Sequence, residues 1–243
     1  MKGLTRTGKK INSGIGKAIG EYKLIEDGDK ILVAVSGGKD SLTLLTLLKE
    51  IQRWAPVKYE LVAAHVKADF ACGSAHTGAL ADILERMGVE YTFRDVKVID
   101  EKGETTCFWC SWTRRKALFE IADELGCNKV ALGHHKDDIV ETMLMNLFYN
   151  GEISAMNPRQ ELFRGRIVII RPLCYVEEGL VRKFAEENGF PDKLRGCPFG
   201  EDSKRNHVKD IIRQTERKTP GLNVKTNIFQ SLKRIKTDYI DLK

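Results

Sequence analysis

An unbroken apolar run, Ile31 to Val35, leads directly into Ser36-Gly37-Gly38-Lys39-Asp40-Ser41, after which Leu42, Leu45, Leu48 and Ile51 recur every third position. A short run with no polar alternation reads as a strand buried on both faces, the habit of parallel sheets, and the leucine spacing reads as a helix. Glycines at the joint let backbone N–H groups approach an anion, and the helix N-terminus adds a favourable dipole. The segment is therefore a phosphate cradle in principle. It matches neither Gly-x4-Gly-Lys-Ser/Thr nor Gly-x-Gly-x-x-Gly. Gly3 to Lys9 fits the first of those in part, but Lys10 follows and no strand precedes it. A plain turn capped by Ser41 would not call for Lys39 and Asp40 beside two glycines.

The alternation continues along the chain. Further strands are expected at residues 61–66, 89–98, 129–132 and 166–171, and helices at 9–26, 41–53, 76–87, 112–125, 138–149 and 177–188. This pattern gives an α/β fold, an open parallel five-stranded sheet with helices on both faces. Residues 1–28 read as a basic helical segment, 29–200 as the core domain and 201–243 as a basic, mainly helical tail. The longest aliphatic runs are too short to cross a bilayer, and the basic N-terminus lacks the apolar core of a signal peptide, so a cytoplasmic location and no membrane contact are expected.

Net charge is +6, but residues 1–20 hold five Lys/Arg and no acid, and residues 201–243 hold eleven Lys/Arg against six Asp/Glu. Two basic ends on a mildly acidic body suit a polyanion gripped from the termini, and solubility alone would give the same pattern. Lys204, Arg205, Lys209 and Arg213 are the tail's RNA-binding candidates, although a solvated helix face would look the same. A second cluster, Gly133-His134-His135-Lys136-Asp137-Asp138, falls where the fourth strand gives way to a helix, the edge at which open α/β sheets bind ligands. Its carboxylates and imidazoles suit Mg²⁺ binding and proton transfer, and one of Asp137 and Asp138 is equally well a helix cap.

Without a secretory signal, the six cysteines are expected to be reduced. Cys127 and Cys174 sit in apolar stretches and read as core; Cys72 has no assigned role. Cys107 and Cys110 form a Cys-x-x-Cys on an expected loop, and Cys197 stands in a Gly-Cys-Pro turn. Trp109 and Trp112, beside that pair, read as core aromatics with base stacking as the alternative.

Ser36-Gly-Gly-Lys-Asp-Ser41 closely resembles the PP-loop of the N-type ATP pyrophosphatases, which cleave ATP between the α and β phosphates. With Cys107-Phe-Trp-Cys110-Ser-Trp-Thr-Arg114-Arg115, Ala131 to Asp138, Asn146 to Tyr149, Arg171-Pro-Leu173 and Gly196-Cys197 in order, the chain resembles the TtcA family of tRNA 2-thiocytidine synthetases from about residue 20 to 215. The resemblance implies an ATP-dependent enzyme that replaces the C2 oxygen of an anticodon-loop cytidine with sulfur. It implies ATP on Ser36, Gly37, Gly38, Lys39, Asp40, Ser41, Gly133 and His134, with Mg²⁺ on Asp40 and Asp138. Lys39, Asp40, Asp137 and Arg114 become the catalytic candidates, and Arg115 joins the RNA-binding set. A [4Fe–4S] cluster is implied on Cys107, Cys110 and Cys197, leaving one iron open for an external ligand such as hydrosulfide. A structural zinc on the same cysteines with His207 or another histidine, or a redox Cys107–Cys110 pair, is the alternative. The implied partners are tRNA, a cysteine desulfurase as sulfur source and a second copy in a homodimer. Competing readings are a PP-loop sulfurtransferase or ligase acting on a tRNA uridine or small metabolite, and a metal-stabilised RNA-binding protein without catalysis. No cysteine precedes Cys72 or follows Cys197, which disfavours uridine-thiolating relatives with paired zinc motifs at both ends.

Overall fold

The computed structural model describes residues 4–69, 74–191, 203–236 and 238; Cys72, Cys197 and the expected boundary at residues 200 and 201 lie outside them. The elements run α1 (Arg6–Tyr22), β1 (Asp29–Ala34), α2 (Lys39–Ile51), β2 (Tyr59–Ala68), α3 (Ser74–Met87), β3 (Glu90–Val96), α4 (Cys107–Glu124) and β4 (Lys129–Ala131). They continue with α5 (Lys136–Tyr149), β5 (Arg159–Leu162), β6 (Ile167–Ile170), α6 (Glu178–Glu187), α7 (Ser203–Lys218) and α8 (Val224–Ser231). The strands form one six-stranded sheet in the order β3-β2-β1-β4-β6-β5.

The five expected parallel strands are present, and β5 is an addition that pairs antiparallel with β6. Its sequence, Arg159-Gln160-Glu161-Leu162, has no apolar run because it lies at the sheet edge, where main-chain pairing rather than burial on two faces defines a strand. Side chains alternate between two apolar clusters. The larger gathers Ile31 and Val33 with residues of α1, α2, α3, α5, α6, α7 and α8. The smaller sets Leu32, Val62, Val66, Val130 and Ile167 against Ala117, Ile121 and Ala122 of α4, the helix that covers this cluster.

At the amino ends of the central strands Lys129, only 2% exposed, is paired with Asp29 at 2.7 Å and Glu26 at 3.0 Å. Both basic ends of the chain pack on the one body. Ile11 and Ile15 of α1, Val208 and Ile212 of α7 and Phe229 of α8 are all buried in the larger cluster. Phe229 meets Tyr175 edge-on with ring centroids 5.5 Å apart. The Tyr175 hydroxyl donates to Glu21 Oε2 at 2.7 Å, and Lys233 Nζ donates to the Tyr175 oxygen at 2.7 Å and to Glu21, closing the tail onto the end of α1.

Replacing Phe229 with Ala should therefore lower unfolding free energy by about 3 kcal/mol or more, the cost of emptying a buried aromatic site. Urea denaturation measures it, and a loss under about 0.5 kcal/mol, the surface-substitution level, would show that α8 is not docked.

Candidate active site

The strand after β1 turns to one side of it, and the later strands β4 and β6 lie on the other. The carboxyl ends of β1 and β4 therefore part where the sheet order reverses, which is where open α/β sheets hold ligands. A cavity of about 350 Å³ lies there, bounded by the Ser36–Ser41 loop, the β4–α5 loop and one face of α4.

Gly37, at φ 84°, turns the loop through left-handed backbone that disfavours a side chain. Ser41 Oγ accepts from Ser36 N at 3.1 Å, lies 3.2 Å from Ser36 Oγ and donates to the Gly38 carbonyl at 3.0 Å, closing the loop on itself. Gly38 caps α2 without a side-chain hydrogen bond, so the N–H groups of the first turn remain for an anionic ligand. Lys39, expected to neutralise phosphate, does not line the cavity. Its buried ammonium lies 3.2 Å from Asp40 Oδ1 and 3.4 Å from Glu178 Oε1.

Asp40 does line the cavity; its Oδ2 accepts from Lys39 at 3.3 Å, while its buried Oδ1 has the Lys39 charge beside it but no hydrogen bond. Burial pushes its carboxyl up, against the opposing charges of His135 and Lys39. Asp138 is the second carboxylate on the wall. A half-satisfied carboxylate beside another fits Mg²⁺, which commonly takes one or two protein carboxylates and completes its shell with water and phosphate oxygens. No group of three or more His, Cys, Asp or Glu among the described residues is set to hold a metal alone.

The β4–α5 loop reaches the phosphate loop through Gly133. A Cβ there would stand 3.1 Å from the Asp40 carbonyl carbon and the Ser41 nitrogen, so a side chain would push the two backbones apart by a few tenths of an ångström. His135 and Asp138 make a capping box: Asp138 Oδ2 accepts from His135 N at 3.0 Å, and the imidazole accepts from Asp138 N. Asp138 thus caps the helix and also lines the cavity. Asp137, expected as catalytic, is placed differently. It is buried and absent from the cavity wall, with Oδ1 accepting from Lys225 Nζ at 2.6 Å and Oδ2 from Glu178 N at 2.8 Å. Those contacts make it an anchor for α6 and α8.

His134 lines the cavity and accepts at Nδ1 from Arg171 Nε at 3.3 Å. Burial first, then the Arg171 charge, lowers its pKa to about 4. The imidazole is therefore neutral at pH 7, with its proton on Nε2. Burial also lowers the Arg171 guanidinium to about 10.

Helix α4 begins at Cys107, with Thr106 Oγ1 accepting from Trp109 N, five residues earlier than the expected start at 112. The Cys-x-x-Cys is thus helical rather than on a loop; the polar and aromatic residues of this exposed first stretch hide its periodicity. Ser111, Arg114 and Leu118 line the cavity, and helical spacing puts Cys107 and Cys110 on the same face one turn nearer the N-terminus. Neither cysteine is in a disulfide, and Cys107 is exposed. Arg114 and Arg115 reach the cavity without an ion pair to any described residue. Trp109 and Trp112, expected as core, are about half exposed and stack on each other at 5.3 Å. Cys127 and Cys174 are buried as expected, and burial pushes the Cys174 thiol up to about 12.

The tail candidates do not form one free basic stripe. Arg205 and Lys209 turn inward to the buried Glu141, at 3.2 Å and 3.7 Å, which docks α7 on α5. Lys204 lies over the Tyr149 ring, and Arg213 pairs with Asp210 at 3.4 Å. His207, the alternative zinc ligand, has Nδ1 3.2 Å from the Tyr149 hydroxyl. Sequence reasoning missed Lys225 and Lys136, whose Nζ donates to Thr226 Oγ1 at 2.6 Å and Glu177 Oε1 at 3.1 Å. No local pattern announces contacts between segments so far apart in the chain.

Fold and site together define a PP-loop nucleotide-binding protein, and the PP-loop domain family matches residues 8–215. A tRNA-cytidine(32) 2-sulfurtransferase of Syntrophotalea carbinolica is 44% identical over 88% of this chain and 85% of its own, and one of Geobacter metallireducens is 39% identical over 96% and 92%. The chain belongs to this tRNA-cytidine(32) 2-sulfurtransferase family. Among solved structures, the U34-tRNA thiolase NcsA of Methanococcus maripaludis, with its [4Fe-4S] cluster, is 26% identical at a TM-score of 0.75, covering 97% of this chain and 80% of that one. The NH3-dependent NAD synthetase of Campylobacter jejuni shares the fold, at 13% identity, a TM-score of 0.51 and coverage of 95% and 94%.

The His134 environment gives a pH prediction. Its folded pKa, about 4, lies below the ordinary 6.5, so between those values the unfolded chain binds more protons and stability rises with pH. Denaturation free energy measured from pH 7 to 4 should fall through this window, and His134→Gln should flatten the fall. An unchanged slope in the variant would show that His134 titrates normally.

Proposed function

We propose that this protein is an ATP-dependent tRNA sulfurtransferase that adenylates the C2 oxygen of an anticodon-loop cytidine and replaces that oxygen with sulfur. One observation carries the reading: the phosphate loop and the Cys107–Cys110 face of α4 are brought to the same cavity. The names of the similar proteins, cytidine sulfurtransferases and a cluster-bearing tRNA thiolase, support it.

The C2 oxygen is a poor leaving group, and transfer to AMP turns it into a phosphate oxygen that tolerates negative charge. The RNA oxygen attacks the α phosphorus of ATP, a P–O bond forms and the bond to pyrophosphate breaks. Ser36, Ser41, the Gly37 backbone and the first turn of α2 would hold the phosphates, and Asp40 and Asp138 would hold a Mg²⁺ that offsets their charge. Arg114 stands on the opposite wall, positioned to stabilise the charge on the transferred phosphoryl, and Arg115 beside it is assigned to the RNA. Lys39 acts from behind the wall, fixing Asp40 against Glu178. Hydrosulfide then forms a bond to C2, the C2–O bond breaks and AMP departs with the electron pair, so no net oxidation occurs.

Cys107 and Cys110 fit as two ligands of a [4Fe–4S] cluster, being unbridged and on one helix face, and Cys197 is assigned as the third. Such a cluster, held by three thiolates, supplies an iron with no protein ligand at which sulfide can be carried. A cysteine desulfurase as sulfur source, with a thiol reductant that supplies the two electrons converting its persulfide sulfur to hydrosulfide, a homodimer and a cytoplasmic setting complete the reading. No helix of the described residues is long and apolar enough to cross a membrane.

Single Cys107→Ala, Cys110→Ala and Cys197→Ala proteins, purified without oxygen, should lose detectable thiolation. They should also lose most of the iron and acid-labile sulfide. Cys127→Ala should keep both. Full activity and cluster content in Cys197→Ala would refute the ligand assignment, and one zinc per chain without sulfide would refute the cluster.

A further inference from the structure

Helix α4 has a second working side. About a third of a turn round from the nucleotide cavity, Trp112, Phe119 and Phe163 border a groove of about 520 Å³ between α4 and the β5–β6 turn. The groove lies beside the β6 end of the smaller apolar cluster, with the buried Ile167 among its lining residues. Arg115 lines the groove and the nucleotide cavity alike, so the two share a wall.

Three features give the groove a chemical character. Phe163 is 62% exposed, and it and Arg164 hold φ of 51° and 59°, a conformation bulky side chains rarely adopt. That backbone presents an aromatic ring to solvent, edge-on to Phe119 at 5.7 Å. Trp112 is 46% exposed and backed on one side by Trp109. The charges are matched except for one: Arg166 pairs with Asp123 at 2.6 Å and Lys116 with Glu120 at 3.6 Å, whereas Arg115 pairs with no described acid. Aromatic faces with a single unmatched guanidinium between them and the reaction cavity complement a nucleobase and its linking phosphate.

We propose that this groove is an RNA subsite that receives one unstacked nucleobase adjacent to the target cytidine, against Trp112 and Phe163, with Arg115 meeting the phosphate between the two nucleotides. It rests on the tRNA-thiolating reading above. Moving the target base into the cavity removes a stacking partner from its neighbour, and a platform on the next side of the same helix replaces that partner. Ring faces carry no hydrogen-bond code, so the subsite accepts any base and fixes register rather than sequence.

The test measures affinity of the full-length protein for an anticodon stem-loop RNA by fluorescence anisotropy, with ATP affinity and molecular mass measured in parallel. Trp112→Ala and Phe163→Ala should each weaken RNA binding about tenfold, within the range for losing one stacked base. ATP affinity and mass should stay unchanged, as should RNA binding by Trp54→Ala, which removes another exposed tryptophan. An abasic residue on one side of the target cytidine should weaken wild-type binding and erase the Trp112→Ala penalty. Equal RNA affinity in wild type and both groove variants would overturn the subsite alone. A penalty that persists with an abasic residue on either side would do the same. A fall in mass in the variants would show instead that a second copy of the chain occupies the groove. Wild-type protein that neither binds nor thiolates the RNA would overturn the thiolation reading, and the subsite with it.

Discussion

The site depends on one close approach, that of Gly133 to the backbone of Asp40 and Ser41. Parallel strands β1 and β4 end side by side with their loops turned to opposite neighbours, and the two loops must nearly touch for their side chains to face one cavity. A Cβ at Gly133 would hold them apart. From this contact follow the placement of Asp40 opposite Asp138, the burial of His135 beside both and the packing of α2 against α6 through Lys39 and Glu178. The paired Lys129 and Asp29 perform the matching task at the other end of the same two strands.

Charge is used twice, in opposite ways. Two buried acids, Glu141 and Asp137, and the half-buried Glu178 are met by basic residues of neighbouring helices, Arg205 and Lys209 of α7, Lys225 of α8 and Lys39 of α2, which binds α7, α8 and α6 to the core. Glu178 shows the result: burial works against its charge, yet Arg182 and Lys39 hold its pKa at about 2. On α4 the arrangement is reversed, and Arg114 and Arg115 stand over the cavity without described acidic partners. A net basic composition therefore divides into cations that hold the fold and cations left for a polyanion. Only contacts in three dimensions separate the two.

That division explains what was legible in the sequence. The five parallel strands and the phosphate loop were readable because each is local: an apolar run, two glycines and a leucine stripe. The edge strand β5 was not, since Arg159 to Leu162 carry no burial pattern. Asp137 and Asp138 looked interchangeable as neighbours, and their different fates come from Lys225, 88 positions away, and from the capping geometry at His135. Arg205 and Lys209 looked like a solvated or RNA-facing stripe until Glu141 was placed opposite them. The exposed first turns of α4 lack an apolar stripe because their outward side carries Phe108, Trp109 and Trp112 rather than polar residues.

Thiolation by the proposed route requires ATP to activate the oxygen that sulfur replaces, in the cavity where the phosphate loop and α4 meet. An anticodon stem-loop RNA carrying ¹⁸O at C2 of the target cytidine tests it most directly, with the nucleotide products analysed by mass spectrometry after anaerobic turnover. One AMP and one pyrophosphate should form per sulfur incorporated, with the ¹⁸O in the phosphate of AMP. Thiolated RNA formed with unlabelled AMP, or with ADP and inorganic phosphate as the products, would contradict it.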